Sequence, residues 1–527
     1  MKLDQLGSWT RTHKCLEVST EDVGKDCLLM GWVNSRRDHG GVIFIDLRDY
    51  TGISQIVFSE PDGKEAFEMA EQVRSEYVLA VKGRLRLRSE DTINLKMRTG
   101  KVELVVHELK ILNNCAALPF QISDDSIEVN EKNRLRYRTL DLRRPRMQSI
   151  MMLRSRASQI VRNFFYENNF FEIETPVLTK STPEGARDYL VPSRLKTGGF
   201  FALPQSPQLF KQMLMISGYD RYFQIVKCFR DEDLRGNRQP EFTQIDLEMS
   251  FVDQRDVISL VERMVAELFM KTISHKIELP IRQMKYDEAM SLYGSDAPDL
   301  RFGLTLVDLT AETASVDFKV FADAVSKGGI VKSIMVPGGA SFSRKELDDF
   351  TEFVKIYKAK GMAWVKLNAD GWQSPIAKFF TDDQMRIINE KTQAKIGDLI
   401  LFAADRASIV HDSLGNLRKE IARKLNLIDE KEFKFVWVTD FPLLEYNDEE
   451  KTYHPSHHPF TMPVIEHLDE WGEKEPGKIK ALAYDLVLNG VELGGGSIRI
   501  HTKDIQERVF KLLKLTTEEV QSKFGFF

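Results

Sequence analysis

No apolar run in this 527-residue chain nears the roughly 20 residues needed to cross a bilayer, and the opening MKLDQLGSWTRTHK lacks the hydrophobic stretch of a secretory signal. Cysteine is scarce. The four present, Cys15, Cys27, Cys115 and Cys228, lie far apart, which excludes a disulfide scaffold and the paired spacing of a cysteine metal site. Reduced thiols, a cytoplasmic address and no membrane contact are expected. Internal repeats and low-complexity tracts are also missing, and so is a large charge excess. With 74 cations against 79 anions the net charge is −5, so the whole molecule is no generic polyanion binder. What remains is the composition of a globular protein, 42% hydrophobic and 29% charged. At about 150 residues per domain, its length suggests three or four cores.

The charge is unevenly spread. From Lys82 to Lys101, seven cations face only Glu90 and Asp91, and from Glu131 to Arg162 ten cations face only Glu131 and Asp141. One basic cluster is commonly a solvated face, but two in an acidic chain point to nucleic acid.

Residues 28–112 alternate apolar and polar positions over LLMGWV, VIFIDL, ISQIVF, YVLAVKGRLRL and VELVVHEL, with turn signals at Gly40-Gly41 and Thr51-Gly52 and a helical stretch from Glu65 to Arg74. Five strands and one helix predict a small closed barrel of the oligonucleotide-binding type. Phe44 and Gln55 fall on its second and third strands, where such barrels stack and read bases; alternation leaves Phe44 equally open as a core residue. The Arg-rich stretch 119–146 reads as a hinge. A helix is predicted from Met147 to Asn168 and a strand from Phe171 to Leu178. YFQIVKCF and FTQIDLEMSF flank a polar loop as a long antiparallel hairpin. Residues 300–430 alternate strands (VKSIMV, MAWVKL, LILFAA) with helices (344–359, 414–425), as an inserted α/β unit would, before FVWVTDF and LAYDLVLNGVEL resume the antiparallel style.

Chemistry concentrates in three segments. Cys228-Phe-Arg-Asp-Glu-Asp and Gln239-Pro-Glu-Phe-Thr-Gln set Arg230 at one strand end and Phe242 at the next strand's start. A guanidinium can chelate phosphate and an aromatic face can stack on a purine, although Arg beside acids is often a surface ion pair. Glu492-Leu-Gly-Gly-Gly-Ser-Ile-Arg499 offers glycines that admit a ligand close to the backbone, or a plain turn. Phe171-Glu-Ile-Glu-Thr-Pro176 precedes both.

These segments resemble the motifs of the class II aminoacyl-tRNA synthetases, motif 1 at Pro176 and motif 2 at Phe229-Arg230-Asp231-Glu232. Ser181-Thr-Pro-Glu-Gly-Ala-Arg-Asp-Tyr189, Gln205-Ser-Pro-Gln-Leu-Phe-Lys211, His457-His458-Pro-Phe and Gly494-Gly-Gly-Ser-Ile-Arg499 narrow the resemblance to the bacterial-type aspartyl-tRNA synthetases, over essentially the whole chain. It implies an α+β multidomain protein: an OB-fold anticodon-binding barrel (1–118), a hinge (119–146), a class II antiparallel-sheet catalytic domain in two parts (147–298 and 431–527) and an inserted α/β domain (299–430). Members of this family continue into a Gly-rich motif 3 whose Arg holds ATP. The string is not found before Phe527, so no residue is assigned to it, and a noncatalytic, synthetase-derived tRNA-binding protein stays open as the alternative.

The resemblance further implies activation of L-aspartate with ATP and transfer to tRNA(Asp), in a homodimer, with Mg²⁺. Arg230, Asp231, Glu232, Gln239, Phe242 and Glu492 would take ATP, with Arg230, Glu232 and Arg499 central to catalysis. Lys211 and Arg499 would hold the substrate's β-carboxylate, and Glu184, Ser206, Gln208, Arg230, Asp246 and His457 would surround the rest. Asp485 and Glu492 would hold the metal. His458 is either a substrate contact or a satisfied core histidine. In the barrel, Phe44 would stack on an anticodon base and Arg37, Gln55 and Glu103 would read base edges. His39, in Arg-Arg-Asp-His, goes with enzymes that also charge tRNA(Asn), while Asp91, near a second position linked to that relaxation, is not the small glycine often seen with it. Sister ligases for asparagine or lysine fit less well, since neither substrate offers a second carboxylate to Lys211 and Arg499.

Overall fold

The structure, a computed structural model, describes residues 3–123, 126–181, 186–233, 238–447 and 450–524. The chain forms two compact units that divide after Gln159.

The first unit is built on β1 (Asp26–Asp38), β2 (Val42–Arg48), β3 (Ile53–Ser59), α1 (Lys64–Glu71), β4 (Val78–Leu87) and β5 (Val102–Asn113). These strands close into a barrel in the order β1-β2-β3-β5-β4, with β3 and β5 parallel and the other pairs antiparallel. That closure removes every sheet edge. Alternate residues turn inward, so Leu29, Val33, Ile43, Ile45, Leu47, Ile56, Phe58 and Val81 fill the core while α1 adds Ala66 and Ala70. Gly83 sits at a bulge between β4 and β5, where a Cβ would lie 2.1 Å from the Val105 carbonyl oxygen. The basic stretch predicted as a hinge follows the barrel. It contains α2 (Glu131–Arg136) and α3 (Arg138–Asp141), with buried Asp141 accepting from Arg134 at 2.8 Å and from Arg138.

Helix α4 (Pro145–Glu167) packs its last turns, Val161, Phe164 and Phe165, into the core of the second unit. The strand predicted from Phe171 to Leu178 shortens to β6 (Phe171–Glu172), and the chain leaves the ladder well before Pro176. A small hairpin, β7 (Leu190–Pro192) and β8 (Phe200–Ala202), leads to α5 (Gln208–Ile216). The predicted long hairpin is present as β9 (Arg221–Phe229) and β10 (Glu241–Met249), paired from Arg221↔Met249 to Phe229↔Glu241. Helix α6 (Gln254–Ile273) backs it. β11 (Gln283–Lys285) and α7 (Tyr286–Tyr293) complete this part.

The insertion follows with β12 (Leu306–Asp308), α8 (Thr310–Thr313), α9 (Lys319–Ser326), β13 (Ile330–Val336), α10 (Arg344–Lys355), β14 (Ala363–Asn368), β15 (Gly371–Gln373), α11 (Asp382–Thr392), β16 (Leu399–Asp405) and α12 (Ala407–Lys424). Its sheet, ordered β12-β13-β16-β14-β15, is antiparallel at every pair, which corrects the α/β expectation to α+β. Strands β13 and β14 run parallel as the ends of a β-α-β crossover, but β16 occupies the gap between them. Alternation of helix and strand in sequence does not fix that insertion.

After the insertion come β17 (Phe435–Thr439), a hairpin of β18 (Leu444–Asn447) and β19 (Thr452–Pro455), β20 (Ala483–Leu488) and β21 (Val491–Ser497); β11, β17, β20 and β21 form a sheet of their own, parallel at β11–β17 and antiparallel at the other pairs, beside the sheet of β10, β9 and β6. Trp437, Tyr484 and Leu486 meet Phe223 and the inner face of α6 in one core, where buried Glu262 accepts from Trp437 Nε1 and the Ile281 amide, both at 3.0 Å. Among the described residues no helix is long and apolar enough to cross a membrane.

One half-buried group predicts a pH response. His411, on α12, has its Nε2 enclosed without a hydrogen bond. Burial first, then Lys332, pushes its pKa down to about 4, against a weaker opposing pull from Asp308. A depressed folded pKa means that this contribution to stability is complete above the unfolded value near 6.5 and is lost as pH falls toward 4, by at most about 1.4 kcal/mol per pH unit. His411→Gln is therefore expected to flatten the acid loss of stability between pH 6.5 and 4.5, read as urea midpoints of the two proteins; equal pH slopes would contradict this.

Candidate active site and nucleic-acid interface

In the second unit, β9, β10, β20, β21 and α5 wall a cleft of 2410 Å³. Helix α5 carries Gln208 and Lys211 one turn apart, so both enter the cleft from one face. Lys211 is buried and donates to Asp246 on β10 at 2.7 Å, with Glu248 at 3.4 Å. Burial opposes its charge, but the two carboxylates outweigh that and hold the ammonium above its ordinary range. Burial also raises the Asp246 carboxyl, against the pull of Lys211. Arg499 follows β21, held by a single bridge to Thr461; it donates to Gln208 Oε1 at 2.5 Å and to Ser497 Oγ at 2.7 Å, and its Nε is buried without a partner. Two cations thus converge on one pocket. Between them, His458 is driven far below its ordinary pKa, first by burial and then by Arg499 and Lys211. It stays neutral, with Nδ1 accepting from the Phe460 amide at 3.1 Å, which favours the core reading of this residue. Ser206 caps the entry to α5 through a bond from the Gln208 amide at 3.3 Å.

At the other end of the cleft, Arg230 leaves β9 with its guanidinium 5.2 Å from the Phe242 ring centroid and its Nε buried without a hydrogen bond. Glu232 meets Arg238 at 3.4 Å, and Gln239 lines the same wall. Asp231 is bridged to Arg187. Along the floor, β20 places Asp485 opposite Gly495 of β21. A Cβ on Gly495 would fall 2.1 Å from Asp485 Oδ1 and 3.6 Å from Glu492 Oε1, so glycine is what leaves room for the two carboxylates. Asp485 Oδ1 accepts no hydrogen bond, and His457 Nε2 stands 3.6 Å away. Glu492 is open to water, yet crowding by the cleft walls, then Asp485, raises its pKa. Two facing carboxylates with an unsatisfied oxygen suit a hard cation that completes its shell with phosphate and water. Among the described residues no group of three or more potential metal ligands gathers, so any such ion would depend on the substrate. Glu184 lies outside the described residues.

In the first unit, a polar chain crosses the outer face of the barrel. Arg37 donates to Asp46 at 3.0 Å and to Gln55 at 3.1 Å; Gln55 donates to Glu103 at 2.7 Å; Glu103 is held by Arg86 at 2.8 Å. Phe44 is half-buried between inward-facing Ile43 and Ile45, and it pairs across the ladder with Arg37. Its ring therefore belongs to the outer face, against the core reading. The exposed His39 ring meets it edge-on at 5.7 Å. Asp91 is exposed on a short 3₁₀ turn, Glu90–Thr92. The sequence reading missed Asp46, Arg86 and Glu248, each of which holds a proposed site residue through a cross-strand or helix-to-strand contact.

A five-strand barrel of this order and an antiparallel sheet carrying an Arg-aromatic pair opposite a Gly-rich strand define a nucleic-acid-charging enzyme of the class II synthetase type. Residues 130–527 match the tRNA synthetases class II (D, K and N), and residues 28–112 match the OB-fold nucleic acid binding domain. The chain belongs to the class II tRNA synthetases of the D, K and N group. It is 54% identical to an aspartate–tRNA(Asp/Asn) ligase of Geotalea uraniireducens over 524 residues, covering 99% of this chain and 88% of that protein. A second ligase of the same name, from Desulfatibacillum aliphaticivorans, is 55% identical over 524 residues, 99% of this chain and 87% of its own. The fold is also that of the aspartyl tRNA synthetase of Entamoeba histolytica, with TM-score 0.57 at 18% identity, covering 100% of this chain and 86% of that one.

Proposed function

We propose that this chain is an aspartate–tRNA ligase. The observation that carries the reading is the convergence of Lys211 and Arg499 in one pocket, which suits a substrate with a second carboxylate and leaves asparagine facing unpaired cations. In the first step the α-carboxylate oxygen of aspartate attacks the α-phosphorus of ATP, the bond to the bridging oxygen breaks and pyrophosphate leaves. In the second, the terminal ribose hydroxyl of tRNA attacks the aspartyl carbonyl and AMP departs. The substrate supplies the nucleophile, so the protein's part is positioning and charge. Arg230, with Asp231, Glu232 and Gln239 around it, would hold the α-phosphate. Phe242, beside the Arg230 guanidinium, would stack on adenine. Asp246, Gln208, Ser206, Glu184 and His457 would orient the amino acid. Asp485 and Glu492 would hold Mg²⁺, which when bound neutralises phosphate charge.

Aspartate-dependent ATP–pyrophosphate exchange tests the reading; exchange supported equally by asparagine or lysine would overturn it. A homodimer is proposed through the segment 171–178, where Phe171, Val177 and Leu178 are exposed. With tRNA as substrate, the cytoplasm is its place of work.

The barrel face is proposed to take the anticodon, with Phe44 stacking on a base and Arg37, Gln55 and Glu103 reading edges. Phe44→Ala is expected to weaken tRNA affinity by about 1–3 kcal/mol while pyrophosphate exchange is unchanged. Loss of exchange in parallel would contradict that separation. Acceptance of tRNA(Asn) beside tRNA(Asp) is proposed from His39, whose imidazole can donate or accept beside the stacking face, with Asp91 opposing it through repulsion of the backbone. His39→Leu should lower charging of tRNA(Asn) relative to tRNA(Asp) by about 5- to 150-fold, the worth of one base-edge contact. A wild-type enzyme that charges tRNA(Asp) alone would end this part of the reading.

A further inference from the structure

Gln205 is fully buried, and no role in substrate contact falls to it. Its amide clasps the backbone of a neighbouring segment as a β-ladder would. Oε1 accepts from the Ala186 amide at 3.1 Å, and Nε2 donates to the Ala186 carbonyl at 2.9 Å and to Asp188 Oδ1 at 2.5 Å. Asp188 in turn accepts from Ser181 Oγ at 2.5 Å. The clasped strap, residues 186–189, continues to the ATP end of the cleft. There the Arg187 carbonyl accepts from the Asp231 amide at 3.0 Å, and the Tyr189 hydroxyl lies against the Asp231 carboxylate. On the other side of Gln205, the Pro204 carbonyl accepts from the Phe229 amide at 2.9 Å, and the Arg230 amide is held by the Pro240 carbonyl at 2.9 Å. The three backbone amides that fix Arg230 are therefore anchored by three different segments. One of these is the strap, and the strap is gripped by Gln205. Three residues further along, the same chain delivers Gln208, and then Lys211, to the opposite end of the cleft.

We propose that Gln205 is a positioning residue that couples the amino-acid end of the cleft to the phosphate end, acting on Arg230 through the 186–189 strap. The inference rests on the aspartate–tRNA ligase reading for its kinetic consequence, but its physical core concerns only the strap. Burial makes the clasp strong, because each polar group released inside the protein is left without water to replace its partner. Gln205→Met keeps the side-chain volume and removes all three bonds.

The test is residue-resolved amide hydrogen exchange on the full chain, paired with pyrophosphate-exchange kinetics. In Gln205→Met, exchange at Ala186, which loses its acceptor, and at Asp231, which Gln205 does not touch, should both quicken by about 10-fold or more, as lost buried hydrogen bonds allow local opening. KM for aspartate and KM for ATP should rise together, with kcat at saturation changing much less. If Ala186 is released while Asp231 stays protected, or only the aspartate KM moves, the coupling is overturned. Should Gln205→Met fail to fold, Asp188→Ala, at a half-exposed position, removes the bonds from Gln205 Nε2 and Ser181 Oγ and leaves both Ala186 bonds of the clasp in place. It should quicken both amides by a few-fold, and an unchanged Asp231 would again overturn the proposal. The amide readout needs no substrate, so a wild-type chain that failed to use aspartate would defeat the functional reading while the strap result still decided this one.

Discussion

Replacing Arg499 by leucine is expected to lower kcat/KM for aspartate by about 2–5 kcal/mol, the cost of removing one partner of a hydrogen-bonded charge pair in the pocket. The change removes the cation and also strips Gln208 Oε1 and Ser497 Oγ of their donor. Both losses fall on the pocket and not on the core, so the melting temperature should move little. Lys211→Leu should give a similar loss in kcat/KM, but it leaves Asp246, already raised by burial, without its ion-pair partner, so stability should fall as well. Steady-state pyrophosphate exchange and thermal melting of the two variants separate these outcomes. An Arg499→Leu enzyme with unchanged aspartate kinetics would remove Arg499 from the site. Discrimination against asparagine should narrow in both variants, since the uncharged amide no longer leaves two cations unpaired.

The second large effect concerns stability. Arg48 and Glu76 form a buried ion pair inside the barrel unit, with two bonds from Arg48 Nη2 at 2.7 and 2.9 Å. Arg48 also donates to Asn34 at 2.8 Å, and Arg143 adds a third contact to Glu76 at 3.0 Å. Arg48→Leu should destabilise the barrel by about 3 kcal/mol, because buried Glu76 loses both bonds from Arg48 and keeps the contact to Arg143. Removing both sides in Arg48→Leu/Glu76→Leu should recover part of that loss. Hydrogen exchange of the barrel strands in the full chain measures it, and a loss under about 1 kcal/mol in Arg48→Leu would show the pair to be solvated.

The barrel was legible in sequence because period-2 alternation places residues on one of two faces, and closure leaves those faces inside or outside. That logic located Gln55 and Phe44 on strands, but only the ladder decided Phe44, whose partner Arg37 faces outward. The relay through Asp46 and Arg86 was not legible. Gln55 and Glu103 lie 48 residues apart and meet only because β3 and β5 run parallel, a pairing that alternation does not encode. In the catalytic unit the cleft residues were found from their motif strings. Gln205 stands within one of those strings, which by itself assigns it no role. Its signal was a polar amide set between Pro204 and Pro207 at the junction of a strand and a helix, and its function needed the 186–189 segment beside it. The insertion shows a different limit. Its strands and helices were located correctly, yet strand direction depended on β16 entering between β13 and β14, a long-range choice without a local signature.

The central claim is that Lys211 and Arg499 make the cleft an aspartate site. Calorimetric titration of the chain with L-aspartate and, separately, with L-asparagine tests it most directly. Buried Lys211 and half-buried Arg499 opposite a β-carboxylate should favour aspartate by roughly 100-fold or more, since a site built for a charged group leaves its own charges unpaired around the amide. Equal affinity for the two amino acids, or tighter binding of asparagine, would contradict the account.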